Sequence, residues 1–121
     1  AIRATIAGLR EFYPGRRLVV DFMPHTFSRT EALFDEFVTA FDGADILVLN
    51  GVYASAREKS GHITGKTLFD AVRRRREETR YFERPDEGAE WLSGVLRTGD
   101  VFVTMGAGDN WKLCRRLLEN R

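Results

Sequence analysis

The spacing of apolar residues predicts five helices along the chain. Residues 2–13 carry an apolar side chain at every third or fourth position, and Pro14-Gly15 ends that pattern. Similar periods cover residues 30–41, 67–78 and 85–96, and a last helix follows residue 110. Ser28 and Glu31 have the spacing of a capping box before the second helix. On the last helix, the side chains predicted to face inward are Trp111, Cys114, Leu117 and Leu118.

Four short β-rich runs lie between these helices, at residues 17–23, 45–52, 79–84 and 101–105. The second, DILVLNGV, is almost entirely apolar, as expected of a strand covered on both faces. The alternation predicts an α/β fold with a mostly parallel sheet and helices on both faces. Ligands of such sheets bind beyond the carboxyl ends of the strands. The loops of interest are therefore 23–30, 51–66, 83–86 and 105–110.

Composition narrows the classes of protein that remain. A length of 121 residues with 43% apolar content suits one domain with its own core. The 19 basic and 18 acidic residues leave a net charge of +1, which provides no general attraction to nucleic acid or to anionic membranes. The single cysteine excludes an internal disulfide and fits a reducing compartment. With no signal peptide or membrane-length apolar run in the sequence, we expect a cytoplasmic protein.

GHITGKT, at 61–67, resembles a nucleotide phosphate loop at first sight. Only three residues separate Gly61 from Gly65, where the phosphate loop requires four. The segment also begins about ten residues after its strand, whereas a phosphate cradle requires a tight strand-to-helix turn. The alternative interpretation, a loop in which Thr67 caps the next helix, is favoured.

MPHTFSRT, at 23–30, places polar residues between a strand end and a helix start. The amino end of a helix favours anions, and Arg29 has the geometry to grip a carboxylate with two hydrogen bonds. His25 can exchange a proton near neutral pH. The competing interpretation is a loop histidine satisfied by the backbone and a surface arginine.

MGAGDN, at 105–110, also joins a strand to a helix. Gly106 and Gly108 permit close backbone approach, either to a ligand or in a tight turn with Asp109 as the helix cap.

Arg57, Glu58 and Lys59 occupy a long loop that is either functional or simply solvated. For the basic run 73–76, a solvated helix face is the favoured interpretation over a phosphate-binding patch. Metal-ligand spacing and a nucleophile triad are not recognisable.

Three blocks, VVDFMPHTFSRTEALFDEFVTAFDGAD, VYASAREKSG and GDVFVTMGAGDNWKL, together resemble the carboxyl-terminal domain of the Mur ligase family. They are most similar to the branch that joins L-alanine to UDP-N-acetylmuramate. The resemblance implies a Rossmann-like domain, residues 1–121, that lacks its first segment. It also implies a three-domain enzyme of peptidoglycan synthesis. In that enzyme the first domain binds the UDP-sugar, the central domain holds ATP and Mg²⁺, and this third domain closes over the ATP site.

In that reaction the muramate carboxylate is phosphorylated to an acyl phosphate, which the amine of L-alanine attacks. The resemblance places His25 and Arg29 at the amino-acid site, and Thr26 stands where other members have Arg. The residues it implies for binding L-alanine are His25, Thr26, Arg29, Gly106, Ala107, Gly108 and Asp109. Arg57, Glu58 and Lys59 are implied at a domain interface.

Two other hypotheses remain open. One is a free-standing α/β binding module, and the other is the related recycling ligase that adds a preformed peptide. Without the ATP-binding and UDP-binding domains, we expect the chain alone to be inactive and to bind neither ATP nor a metal tightly.

Overall fold

The computed structural model describes residues 1–53, 63–106 and 108–119, and in these ranges it contains one sheet of four parallel strands. Their order across the sheet is β3-β2-β1-β4. Asp21 of β1 lies opposite Val48 on β2 and Thr104 on β4. The all-parallel sheet confirms the predicted α/β class. The strand bounds are β1 Leu18–Met23, β2 Ile46–Asn50, β3 Arg80–Phe82 and β4 Val101–Gly106.

Six α-helices and two short 3₁₀ turns connect these strands within the described ranges. The 3₁₀ turns are Pro85–Gly88 and Asp109–Trp111, each running directly into an α-helix. The helices are α1 Ile2–Phe12, α2 Phe27–Ala32, α3 Phe34–Ala40, α4 Gly65–Arg75, α5 Ala89–Val95 and α6 Lys112–Glu119. None of the described helices combines the length and the apolar character that a bilayer span requires.

Two hydrophobic cores lie on opposite faces of the sheet, because successive side chains of a strand point to opposite faces. Val20 and Phe22 of β1 pack in one core with residues of α1, α3 and α4, including Leu68, and with Phe41, which directly follows α3. Val19 packs in the other core with residues of α5 and α6. The strands β1 and β2 are almost completely buried. Helices therefore cover both faces, as the sequence predicts.

The predicted helix over 30–41 is two helices, and its predicted cap is wrong. Leu33 breaks the helical path between α2 and α3. Thr26, rather than Ser28, is the cap of α2, and its hydroxyl accepts a hydrogen bond from the backbone N–H of Arg29 at 3.2 Å. The helix starts early because the backbone N–H of Thr26 is held by a hydrogen bond to Tyr53, three residues beyond the end of β2.

The helix predicted over 67–78 begins at Gly65 and ends at Arg75, so Thr67 is not its cap. Thr64 caps it, and the side chains of Thr64 and Thr67 each accept a hydrogen bond from the other residue's backbone N–H at 3.1 Å. A Cβ atom at Gly65 would lie 2.5 Å from the backbone oxygen of Asn50. The helix can therefore start this close to β2 only because its first residue has no side chain.

The inward face predicted for the last helix is only partly right. Leu117 is buried as predicted and Cys114 is half-buried, whereas Trp111 is 59% and Leu118 74% exposed, and the second buried leucine is Leu113. The 3₁₀ turn before α6 has three residues per turn instead of 3.6, which changes the phase of the apolar stripe.

The basic run is also less uniform than predicted. Arg76 turns inward and donates hydrogen bonds to the carbonyl oxygens of Phe41 and Ala44. Arg75 pairs with the exposed Asp42.

Candidate functional site

The carboxyl ends of β1 and β2 are joined by two backbone hydrogen bonds beyond the sheet. The N–H of Tyr53 donates to Pro24 at 2.8 Å, and the N–H of Thr26 donates to Tyr53 at 3.1 Å. The rings of His25 and Tyr53 stack with centroids 6.2 Å apart and planes inclined by 24°. The backbone of His25 is therefore fixed on both sides by hydrogen bonds of Pro24 and Thr26. The His25 side chain itself is exposed.

Thr26 supports the site through its backbone and its cap rather than through an exposed functional group. Its φ of 62° lies in the left-handed region, which is uncommon for a residue other than glycine. Its carbonyl oxygen accepts a hydrogen bond from the hydroxyl of the buried Thr30 at 2.7 Å. This geometry starts α2 and carries Arg29 on the exposed side of its first turn. Because α2 has only six residues, its helix dipole adds little.

Gly106 and Gly108 pack against the end of β1. A Cβ atom at Gly106 would overlap the carbonyl oxygen of Met23, and the φ of Gly106 is 105°. A Cβ atom at Gly108 would overlap the sulfur of Met23 and come within 3.1 Å of Tyr53. The close approach that these glycines permit is thus made to Met23 at the end of β1. Gly108, not Asp109, precedes the 3₁₀ turn as its cap residue.

A cleft of about 940 Å³ opens at this edge of the sheet, between β1, β4, α1, α2 and α3. His25, Arg29 and Gly106 line it together with apolar side chains that include Phe22 and Phe37. Within the described ranges the guanidinium of Arg29 forms no ion pair and no hydrogen bond. The cleft therefore combines an available cation with an apolar wall.

A buried polar cluster lies on the other face of the sheet from this cleft, and it was not identified from the sequence. Asp21 and Asn110 are 0% and 1% exposed. The side-chain amide of Asn110 donates to both the backbone oxygen and Oδ1 of Asp21, at 3.1 and 3.0 Å. It also lies 3.0 Å from the carbonyl oxygen of Met105. The sequence indicates this cluster only through Asp21 itself, which lies within the apolar run LVVDFM, where a charged residue requires a partner.

The predicted site residues divide into three groups. His25, Arg29 and Gly106 meet at the cleft, as their positions at strand ends predict. Thr26, Gly108 and Asp109 belong to the turns that shape it but are not among the residues that line it. Ala107, Arg57, Glu58 and Lys59 lie outside the described residues.

The described part of the GHITGKT segment does not have the form of a phosphate cradle. The hydroxyl of Thr64 accepts the N–H of Thr67 in the first turn of α4. The Lys66 ammonium lies 4.7 Å from the centre of the Phe69 ring and 3.4 Å from Asp70. Gly61 and His62 lie outside the described residues. In the ranges that are described, no three His, Cys, Asp or Glu side chains group closely enough to hold a metal ion.

Comparison with known families agrees with this fold. Residues 1–108 match the family described as Mur ligase, glutamate ligase domain, and the chain belongs to that family.

Similar curated proteins are named UDP-N-acetylmuramate–L-alanine ligase. The protein of Treponema pallidum (strain Nichols) is 47% identical over 114 residues, which is 93% of this chain and 24% of the relative. The protein of Solidesulfovibrio magneticus is 43% identical over 121 residues, covering 98% of this chain and 26% of the relative. That of Bdellovibrio bacteriovorus is 42% identical over 112 residues, covering 93% and 24%. The chain thus spans about a quarter of the length of these relatives.

Proposed function

We propose that this chain forms the amino-acid-binding side of an ATP-dependent ligase that joins L-alanine to UDP-N-acetylmuramate in peptidoglycan synthesis. The observation that carries the proposal is the position of Arg29 beside His25 in one cleft, with no ion-pair partner for its guanidinium among the described residues. The three relatives support the choice of substrates, because each is named UDP-N-acetylmuramate–L-alanine ligase.

The cleft suits a small amino acid. The Arg29 guanidinium can bind the alanine carboxylate through two parallel hydrogen bonds. The apolar wall near Phe22 and Phe37 offers a surface for the methyl group. His25 orients the substrate, and the backbone at Gly106 encloses its other side. Holding the amine next to an activated carboxyl carbon accelerates amide formation because it removes the entropic cost of bringing the two reactants together.

ATP, Mg²⁺ and UDP-N-acetylmuramate are bound, in this proposal, by further domains of a cytoplasmic enzyme. Lys66 contacts the Phe69 ring, and the side chains of Thr64 and Thr67 accept hydrogen bonds from each other's backbone N–H. Both contacts support an ATP site in another domain. In the full enzyme this chain closes over the ATP site. Arg57, Glu58 and Lys59 would then contact a neighbouring domain.

The proposal is tested by Arg29→Ala in the ligase that carries this chain. Loss of the charge-assisted hydrogen bonds should raise the KM for L-alanine by about 10- to 100-fold, since such bonds contribute about 1.5–3 kcal/mol. The KM for ATP should change little. Arg74→Ala, which removes an exposed arginine of α4, is the matched control and should leave both constants unchanged.

An unchanged KM for L-alanine in the Arg29→Ala enzyme would contradict the assignment. A comparison of acceptors separates the related recycling ligase, because that enzyme should prefer a preformed tripeptide to L-alanine.

A further inference from the structure

Asp21 lies inside the sheet, on the face that is covered by α5 and α6. It shares that face with Val19, two residues earlier on β1, which packs in the second core. Its neighbours across the sheet are Val48 on β2 and Thr104 on β4. Asn50 follows Val48 by two residues and therefore lies on the same face, diagonally across from Asp21.

Two buried amides lead from this position to the edge strands. Asn110 donates to Oδ1 of Asp21 and lies within hydrogen-bond distance of the Met105 carbonyl on β4. Asn50, which is 0% exposed, donates from Nδ2 to the carbonyl oxygen of Phe82 on β3 at 3.1 Å. The chain of hydrogen bonds thus lacks only a link between Asp21 and Asn50.

At that link, two buried oxygen atoms have no hydrogen-bond partner among the described residues: Oδ2 of Asp21 and Oδ1 of Asn50. Turning the Asn50 amide over would not solve the problem, because its oxygen would then face the carbonyl oxygen of Phe82. An ionised carboxylate only accepts hydrogen bonds, so it cannot supply the missing donor. Leaving buried polar atoms without partners is costly.

We propose that Asp21 is held as a neutral acid whose Oδ2–H donates to Oδ1 of Asn50. One proton then satisfies both atoms and completes a chain of hydrogen bonds across all four strands. The proposal does not depend on the identity of the substrate or on the assignment of Arg29.

Burial gives further support, because it raises the pKa of Asp21 to about 7, although the neighbouring side-chain amides of Asn110 and Asn50 oppose the rise. The groups that face Asp21 are neutral: Thr104 on β4, Asn50 on β2 and Asn110 on the 3₁₀ turn. Asp109 is the titratable residue on that turn, and it does not contribute to the shift. The residues that α5 and α6 bury on this face are Ala89, Leu92, Leu113 and Leu117.

The consequence is a proton-dependent support for the candidate site. Asn110 belongs to the turn that follows Gly106 and Gly108, so Asp21 holds that turn against β1. The pKa of Asp21 is higher in the folded chain than its ordinary value of 3.8. The stabilisation by this proton is therefore complete below about pH 4 and is lost as the pH rises through 7.

A carboxyl-carbon NMR titration of the 121-residue chain tests the protonation state directly. We expect the Asp21 carboxyl carbon to titrate with a midpoint between about pH 6 and 8, well above ordinary aspartates. The backbone amide of Gly108 and the side-chain amide of Asn110 should shift with the same midpoint. A midpoint below about 6 would overturn the proposal, because the carboxylate would then be almost fully ionised at neutral pH.

Asp21→Asn provides a second test, because the new amide can donate to Asn50 and accept from Asn110 at all pH values. The denaturant midpoint of the parent chain should fall between pH 5 and pH 8, and this fall should be largely absent in the variant. Asp35→Asn, the same change at an exposed position in α3, should retain the fall. Equal pH dependence in Asp21→Asn and the parent chain would also overturn the proposal.

Discussion

At the scale of single residues, the shape of the cleft depends on glycines that touch protein. Gly106 and Gly108 lie against Met23, and each has its own type of obstacle. At Gly106 the obstacle is a backbone oxygen, which cannot move without disturbing β1. At Gly108 it is the flexible side chain of Met23. A side chain at Gly106 is therefore not tolerated, whereas a side chain at Gly108 is tolerated if Met23 is shortened at the same time.

We predict that Gly106→Ala lowers the free energy of unfolding by about 2 kcal/mol or more, because its φ of 105° and the Met23 carbonyl both oppose a Cβ atom. Gly108→Ala should be destabilising as well, and Met23→Ala should partly rescue it but not Gly106→Ala. Denaturant unfolding of the single and double variants measures both effects.

Gly94→Ala is the control for these substitutions. Gly94 lies within α5 with no atom within 4 Å of an added Cβ, so alanine should raise stability by about 0.5–1 kcal/mol. Equal rescue of the two loop variants by Met23→Ala would contradict the distinction between a side-chain and a backbone obstacle.

The chemistry of individual residues was partly predictable from the sequence. His25 and Arg29 follow a strand end, and the rule for parallel sheets places them at the carboxyl edge of the sheet, where the structure has a cleft. Asp21 and Asn110 are 89 residues apart, and no local pattern links them. Their pairing depends on β4 lying next to β1, which is a property of the strand order.

At the scale of elements, helix existence was predicted better than helix ends. The periods identify α1 and α4, but the caps at Thr26 and Thr64 depend on contacts with β2 that follow from tertiary structure. Propensity and period are local, whereas a helix begins where the backbone finds its hydrogen-bond partners.

The starts of β1 and β4 are joined by an ion pair that is partly shielded from water. Nη2 of Arg17 lies 2.6 Å from Oδ2 of Asp100, and Nε donates to the same carboxylate at 3.1 and 3.2 Å. The Asp100 side chain is only 8% exposed. Hydrogen bonding from Arg17 lowers the pKa of Asp100, opposed by burial.

Asp100→Ala should therefore lower the free energy of unfolding by about 2 kcal/mol at pH 7, the usual scale for hydrogen bonds to a charged group. Because the folded-state pKa is lowered, this contribution is present above about pH 4 and is lost as the pH falls below it. Unfolding curves at pH 7 and pH 3 should thus differ between parent and variant mainly at pH 7.

Asp42→Ala removes the carboxylate of a more exposed pair, with Arg75, and is the matched control. Its effect should be smaller, because solvent screens exposed pairs. A loss as large as that of Asp100→Ala would show that the Arg17 pair has no special role.

At the scale of the whole molecule, the alternating pattern predicted a parallel sheet but not the order of its strands. Four parallel strands can be arranged in several ways, and the order β3-β2-β1-β4 is determined by packing across the full chain. That order brings the ends of β1, β2 and β4 together, and with them His25, Tyr53 and Gly106. The candidate site is therefore a product of topology, and the phosphate-like GHITGKT segment lies on a different connection.

The last prediction concerns that segment. Lys66 is occupied by the Phe69 ring and Asp70, and the first turn of α4 is closed by its own threonines. A calorimetric titration of the 121-residue chain with ATP and Mg²⁺ should thus give no saturable heat up to about 1 mM, the range where binding energies fall near −4 kcal/mol. Lys66→Ala should behave identically. Saturable binding that Lys66→Ala abolishes would instead make GHITGKT a phosphate site despite its spacing, and would require the lysine to leave its aromatic contact when nucleotide binds.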